Sequence, residues 1–408
     1  MSTNYKPAYV RYAIFLAFQG WHQLVGRIVL LGALLFIASQ VGPEEFGSLQ
    51  VAIVFFSLAL TVNDAGFAPQ IINLVTPRQH IPRVLISVKI YWSLFATVAM
   101  FIVFSIAYGD ASLGLRFLVL IAALLVSLCS FFLVCLRGLV LHHIEAAFAS
   151  VQRIGAALLA STLVVALGEV SAYFIAMAIT AALVLALIWR SLTKGGLVSN
   201  APLVMRRFPV GYLLLIEVGT WVYSRIDLII LEHWHGEATA GQYGLAYTVF
   251  SGLAVTSVVL VAVMYPEVVS RTGGSRARAI KISCFALSIV GAAVTGMVMT
   301  VGDRVISIVA GGEFQSAGEF LVLLAPGYLA MFPNALLSQV AILRGRTREL
   351  SLVIVFVACG NAVANYVFVP DYGAAAAVWI TVATEFFLVG FSLILVGAMA
   401  ATSVPNER

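Results

Sequence analysis

The feature that most constrains this chain is a series of long apolar stretches separated by short polar or glycine- and proline-containing breaks. Each stretch holds the roughly 20 mostly apolar residues that a helix needs to cross a bilayer. With 62% hydrophobic and 10% charged residues, the 408-residue chain has too few charges to cover a water-facing surface. The sequence therefore predicts an all-α polytopic membrane protein and excludes a soluble or disordered chain.

About twelve such stretches can be counted, and each is predicted to be a transmembrane helix. They run near residues 13–40, 47–75, 84–108, 114–140, 147–167, 170–192, 210–233, 241–269, 279–301, 317–342, 349–369 and 373–397. An even number of spans places both termini on one side of the membrane. Nineteen of the 23 Lys and Arg residues fall on that side, so both termini are predicted to be cytoplasmic.

This charge asymmetry also accounts for the net charge of +5, and we expect no nucleic-acid partner. The sequence has no P-loop and no dinucleotide-binding glycine motif. Its Cys and His residues lack the spacing of a metal site. We therefore expect no cofactor and no metal, apart from an ion that couples transport to a gradient.

The two halves of the chain share a short motif. The pattern Gly-x4-Gly-x4-Ala occurs at residues 42–52 and again at 236–246, an offset of 194 residues. Because each half has six spans, the halves enter the membrane with the same orientation and are predicted to be parallel repeats. We predict an N-terminal six-helix lobe at 1–192, a cytoplasmic inter-lobe linker at 193–209 and a C-terminal six-helix lobe at 210–408, pseudo-symmetric around a central cavity.

Two arginines lie inside spans, where a charge usually faces a cavity or a partner. Arg27 in span 1 and Arg225 in span 7 occupy equivalent helices of the two halves. A guanidinium binds a phosphate through two parallel N–H groups, so this pair could form a cationic substrate site. Trp221, one turn from Arg225, is assigned to the same site. The alternative is a fixed ion pair, for example between Arg27 and Asp64.

Four carboxylates within spans could couple transport to H⁺ or Na⁺, or line the cavity: Glu217, Asp227, Asp64 and Glu385. For Asp64 a capping or kinking role before Gly66 is the alternative. Asp227 lies about 200° from Arg225 around the helix, so these two should not pair.

Three further cations lie near cytoplasmic ends of spans: Lys89, Arg137 and Arg153. Long cationic side chains at such positions commonly extend to the interface. The alternative is a basic funnel through which an anionic head group enters.

Six motifs, in this order, resemble those of a known family. They are Gly42-Pro-Glu-Glu-Phe-Gly47, Asn63-Asp64-Ala-Gly66-Phe67, Tyr223-Ser-Arg-Ile-Asp227, Gly241-Gln-Tyr-Gly-Leu-Ala-Tyr247, Gly312-Glu-Phe314 and Asn365 to Ala375. The chain resembles the Wzx-like flippases, the polysaccharide-biosynthesis branch of the multidrug/oligosaccharidyl-lipid/polysaccharide exporter superfamily. Members of that family often carry two further helices.

The resemblance implies a non-enzymatic function. The expected activity is translocation of a polyprenyl-diphosphate-linked oligosaccharide to the outer leaflet of the bacterial inner membrane, for lipopolysaccharide or exopolysaccharide synthesis. Membrane lipid and a glycan polymerase are the expected partners. Two alternatives stay open: a cation-coupled multidrug-type exporter, which would favour acidic over basic cavity residues, and a membrane glycan polymerase or ligase, which would need a large outer loop.

Overall fold

We describe a computed structural model of the chain over residues 8–64, 68–109, 111–200 and 210–397. Within these residues the fold is almost entirely helical. The α-helices are α1 (Ala8–Asp64), α2 (Ala68–Val75), α3 (Arg83–Ala107), α4 (Leu113–Gly138), α5 (His142–Leu167), α6 (Ala172–Lys194), α7 (Val210–Ser270), α8 (Gly273–Ala310), α9 (Gln315–Leu324), α10 (Gly327–Leu343) and α11 (Thr347–Gly397). A 3₁₀ turn, Gly312–Phe314, precedes α9.

Three of these helices are too long to cross a membrane once. A straight helix of 57 residues, the length of α1, would extend about 85 Å, whereas the apolar core of a bilayer is about 30 Å thick. Each long helix is broken at one glycine: Gly42 (φ 79°) in α1, Gly236 (φ 80°) in α7 and Gly373 (φ 58°) in α11. A positive φ costs glycine nothing, so each break joins two consecutive spans.

These breaks account for the predicted number of spans. Among the described residues, eight helices are long and apolar enough to cross a membrane, and the pair α9–α10, bent by 56°, makes nine. Three of the nine contain two spans each, which gives the twelve predicted. The turns between spans 1 and 2 and between spans 7 and 8 are shorter than expected, because the chain reverses its direction at a single glycine and has no separate loop there.

The internal repeat is confirmed by matched geometry at the 194-residue offset. Gly42 and Gly236 have the same conformation, with ψ values of 173° and 172°. A Cβ atom added to Gly47 would lie 1.9 Å from the carbonyl oxygen of Glu237, and one added to Gly241 would lie 1.9 Å from that of Pro43. Gly47 of the first half approaches the second half in the same way as Gly241 of the second half approaches the first, as a pseudo-two-fold axis requires.

The two six-helix lobes meet mainly through α1 and α7. In the N-terminal lobe α3 to α6 pack with α1, and in the C-terminal lobe α8 to α11 pack with α7. Large apolar side chains such as Phe95, Ile106 and Ile308 are exposed on the outer faces, as expected for a surface in lipid.

Two short strands, β1 (Ile81–Pro82) and β2 (Val198–Ser199), pair in parallel and fasten the start of the predicted linker to the N-terminal lobe. The lobe and linker boundaries stay a prediction. Residues 1–7, 65–67, 201–209 and 398–408, which include part of the linker and of the motif after Asp64, lie outside the described residues.

Candidate functional site

A cavity of about 470 Å³ lies between the lobes. One wall comes from the last turn of span 2 and the start of α2, and the other from the first half of span 7. The lining residues are Leu60, Thr61, Asp64, Ala68, Ile216, Glu217, Thr220, Trp221 and Ser224. The cavity is therefore at the end of the bundle opposite the glycine turns. We call the end with Gly42 and Gly236 the outer end and the opposite end the inner end, following the predicted topology.

The lobes are in close contact at the outer end. The backbones of the two lobes cross at Gly47 and Gly241. Within the C-terminal lobe, the side chain of Gln242 donates to the carbonyl of Glu313 (2.5 Å) and accepts from the backbone N–H of Ala317 (3.0 Å), which holds the turn that carries Phe314. The ring of Phe46 packs edge-on against Phe314, with centroids 5.9 Å apart. This contact, which we call the outer seal, separates the cavity from the outer end.

Arg27 lies on span 1, one turn toward the inner end from a contact between spans 1 and 8. Leu31 packs on span 8 at Gly252, where an added Cβ would lie 3.0 Å from its Cδ2. Arg27 is one turn further toward the inner end on the same face of the helix, because residues four apart lie above one another. Its side chain is exposed, and it makes no ion pair or hydrogen bond with any residue whose side chain the structure describes.

Arg225 is not the structural equivalent of Arg27. Arg27 is 15 residues before its glycine break and Arg225 is 11 residues before the corresponding one, so they differ in depth by about one turn. The half-buried guanidinium of Arg225 lies over the ring of Tyr247, 4.8 Å from its centroid. The structure therefore does not bring the two arginines together as one matched pair.

Trp221, which does match Arg27 at the 194-residue offset, ties the two lobes together. Its indole N–H donates to Oγ of Ser57 in span 2 at 2.9 Å, and its ring is 9% exposed. Glu217, one turn further toward the inner end, is exposed on the wall of the same cavity.

Asp64 pairs with Lys89 rather than with Arg27. The ammonium of Lys89 donates to Oδ1 of Asp64 (3.0 Å), to the carbonyl of Asn63 (2.7 Å) and to Oγ of Ser127 (2.8 Å). The side chain of Lys89 is 4% exposed, while that of Asp64 is 41% exposed. This placement differs from both interpretations of Lys89, extension to the interface and a basic funnel, because its charge is enclosed within the N-terminal lobe and already has a partner.

Arg137 and Arg153 lie close together in the same lobe. Arg137 forms an ion pair with the buried Glu145 at 2.7 Å. Arg153 is near enough to Arg27, Glu145 and Arg137 to interact electrostatically with all three. The structure thus gathers Arg137 and Arg153 with Arg27, instead of spreading them along a cytoplasmic rim.

Asp227 is enclosed in a polar network that sequence reasoning largely missed. Its carboxylate accepts hydrogen bonds from the hydroxyl of Tyr243, from Oγ1 of Thr381 (3.2 Å) and from the backbone N–H of Leu228 (2.8 Å). As predicted, it forms no ion pair with Arg225 among the described residues. One available signal is the four-residue spacing of its partner Thr381 with Glu385, which places two polar groups on one face of an apolar helix.

Glu385 is buried at the wall of a second cavity, of about 580 Å³, inside the C-terminal lobe. The same wall carries several neutral polar side chains, among them Ser251, Ser257, Asn334 and Ser392. Ile216 and Thr220 of span 7 line both this cavity and the one between the lobes, so the two spaces are separated by that face of span 7.

No protein-family model and no curated protein matches the sequence. Several solved structures, however, are similar to this chain. A structure described as lipid II flippase MurJ in an inward closed conformation matches with a TM-score of 0.73 at 13% identity, over 93% of this chain and 87% of that one. The eukaryotic MATE transporter AtDTX14 matches with a TM-score of 0.61 at 15% identity, over 97% and 96%.

A multidrug resistance MATE family transporter of the MOP superfamily, in an inward-facing conformation, matches with a TM-score of 0.57 at 16% identity, over 96% of this chain and 100% of that one. The chain is therefore a multi-pass membrane protein with the fold of MOP-superfamily transporters. At these identities the similarity defines the fold, and the substrate has to be argued from the site.

Proposed function

We propose that this protein moves a polyprenyl-diphosphate-linked oligosaccharide from the cytoplasmic to the outer leaflet of the bacterial inner membrane. The observation that carries the proposal is an intramembrane arginine without an acidic partner, close to the contact between the lobes. Arg27 is exposed, has no acidic partner among the described side chains, and lies one turn from the contact of Leu31 with Gly252 between the lobes. An unpaired charge is costly within a membrane, so it indicates an anionic ligand, and a diphosphate is such a ligand.

The architecture fits transport of an amphipathic lipid. The glycan and diphosphate would occupy the space between the lobes, while the polyprenyl tail stays in lipid outside the cleft. Opening of the outer seal and closure of the inner end would then expose the head group to the other side. This is alternating access, in which one repeat rocks against the other around a fixed site.

Asp227 is our candidate for the coupling carboxylate. It is 1% exposed and has two hydroxyl donors, which suits a group that exchanges a proton or a small cation as the lobe changes shape. Asp64 is less suited because Lys89 already neutralises it. The coupling ion, H⁺ or Na⁺, the cytoplasmic position of the termini and the association with a glycan polymerase are part of the same proposal.

The neighbouring structures include both a lipid flippase and drug exporters. Arg27 favours the first class, because a drug exporter for cations would place a carboxylate where this chain places Arg27. We propose a transporter rather than a glycan polymerase or ligase, because the outer connections within the described residues are short turns, such as those at Gly42 and Gly373.

The test is the lipid pool of a strain that lacks the gene. We expect complete repeat units on polyprenyl diphosphate to accumulate on the inner leaflet, with loss of surface polymer. Single unpolymerised units at the surface would instead indicate a polymerase. An unchanged lipid pool combined with greater sensitivity to cationic drugs would contradict the flippase proposal and favour the exporter.

A further inference from the structure

The side chain of Arg153 packs against span 1 at Gly26. A Cβ atom on Gly26 would lie 2.9 Å from Cδ of Arg153 and 3.4 Å from its Cβ. The aliphatic part of Arg153 therefore crosses span 1 directly beside Arg27. The two charged groups are close enough to repel each other.

The two arginines also lie at the same depth. Arg27 is 15 residues from the outer end of span 1 at Gly42, and Arg153 is 14 residues from the outer end of α5 at Leu167. At 1.5 Å per residue both are about 21–22 Å from the outer end. A like-charged pair at one depth inside a membrane is unfavourable unless a third group of opposite charge lies between its members.

The residues that the structure describes supply little negative charge here. Among them, Glu145 is the carboxylate that interacts with Arg153, and Arg137 binds it at 2.7 Å. These three guanidinium groups and one carboxylate carry a net charge of about +2 if all are ionised. Like Arg27, Arg153 makes no ion pair or hydrogen bond with a side chain that the structure describes.

We propose that Arg27 and Arg153 form a clamp for the diphosphate, built from spans 1 and 5 of the N-terminal lobe alone. Each guanidinium would bind one phosphoryl group bidentately, and Gly26 holds the two arginines next to each other. Arg225 is not part of the clamp, because it lies on Tyr247 in the other lobe. This inference deepens the proposed function and rests on it.

The experiment measures binding of undecaprenyl diphosphate and undecaprenyl monophosphate to purified full-length protein in detergent. We expect wild type to prefer the diphosphate, and Arg27→Gln and Arg153→Gln each to weaken its binding by about tenfold or more, the effect of losing a charge-assisted contact. Because the two act as a unit, the double variant should be little worse than either single variant. Arg225→Gln should stay within about twofold of wild type.

A second pair of variants keeps both arginines and tests their placement. Gly26→Ala should displace Arg153 and weaken diphosphate binding, whereas Gly32→Ala, where an added Cβ meets nothing within 4 Å, should bind as wild type does. Arg153→Lys retains the charge and should recover part of the affinity, which separates loss of charge from misfolding.

Two results would contradict the proposals, and they are distinguishable. If wild type prefers the diphosphate but Arg153→Gln and Gly26→Ala bind it normally, the clamp is wrong and the proposed function stands. If wild type shows no preference for the diphosphate over the monophosphate, the proposed substrate class fails and the clamp fails with it.

Discussion

At the scale of single residues, the intramembrane charges of this protein fall into two groups. Some have partners: Lys89 with Asp64, Arg137 with Glu145, and Arg225 with the ring of Tyr247. Arg27 and Arg153 have each other as neighbours, and neither forms an ion pair with a described side chain. Their functional assignment follows from this difference, because a structural ion pair needs no ligand.

The unequal burial of Lys89 and Asp64 leads to an asymmetric prediction. Asp64→Ala leaves an enclosed ammonium without its counter-charge and should destabilise the protein by about 2 kcal/mol, a value reduced by the exposure of Asp64. Lys89→Met leaves only a half-exposed carboxylate and should cost less. Thermal unfolding in detergent measures both, and a Lys89→Met/Asp64→Ala double variant should be more stable than Asp64→Ala. Equal losses for the two single variants would contradict the arrangement.

Asp227 gives a prediction about energy coupling. Asp227→Asn keeps the shape of the side chain and removes its titration and most of its affinity for a cation. We expect gradient-driven transport to be lost while binding of substrate is retained, because Asp227 is buried among partners of the C-terminal lobe and Arg27 belongs to the N-terminal lobe. Transport assays in vesicles with and without an imposed H⁺ or Na⁺ gradient check this. A variant that still responds to the gradient would exclude Asp227 as the coupling group.

At the scale of secondary-structure elements, glycine sets how closely the two lobes approach. The hairpins of α1 and α7 cross at Gly47 and Gly241, where backbone faces backbone. A side chain at either position requires the helices to move apart, because a carbonyl group cannot be displaced as a flexible side chain can. The outer seal is therefore a contact that one methyl group can open.

We expect Gly47→Ala or Gly241→Ala to open the outer seal. The readout is labelling of a cysteine at Thr61, on the cavity wall, by a membrane-impermeant maleimide applied from outside the cell. The seal variants should be labelled, and the parent should not. Gly296→Ala is the matched control, because nothing lies within 4 Å of an added Cβ in that part of α8. Labelling that is the same in all variants would show that this contact does not gate the cavity.

At the scale of the whole molecule, the sequence predicts the spans, their number and the parallel repeat. These depend on local properties: apolar length, and glycine at the two turns 194 residues apart. It does not predict the pairing of charges, because pairing depends on how each helix is rotated against its neighbours. The sequence suggests Arg27 as a possible ion-pair partner of Asp64, but Asp64 binds Lys89 instead. The network of Asp227 likewise joins residues from three separate spans.

The predicted topology has a direct test. A cysteine at Ser171, between α5 and α6, should react with an impermeant maleimide in intact cells, because that turn is at the outer end. A cysteine at Arg348, which is exposed at the start of α11, should react only after permeabilisation. The reverse labelling pattern would show that the protein has the opposite orientation in the membrane, and it would contradict the proposed direction of transport.

The measurement that tests the account most directly is lipid flipping by the purified protein in liposomes. The vesicles would carry a short-chain polyprenyl-diphosphate disaccharide, and a glycosidase added outside would report the accessible fraction. We expect wild type to bring the whole pool within reach of the glycosidase, while Arg27→Gln and Arg153→Gln leave the inner-leaflet half protected. If the inner-leaflet half of the lipid stays protected from the glycosidase in vesicles that contain wild-type protein, both with and without an ion gradient, the proposed flipping activity is contradicted.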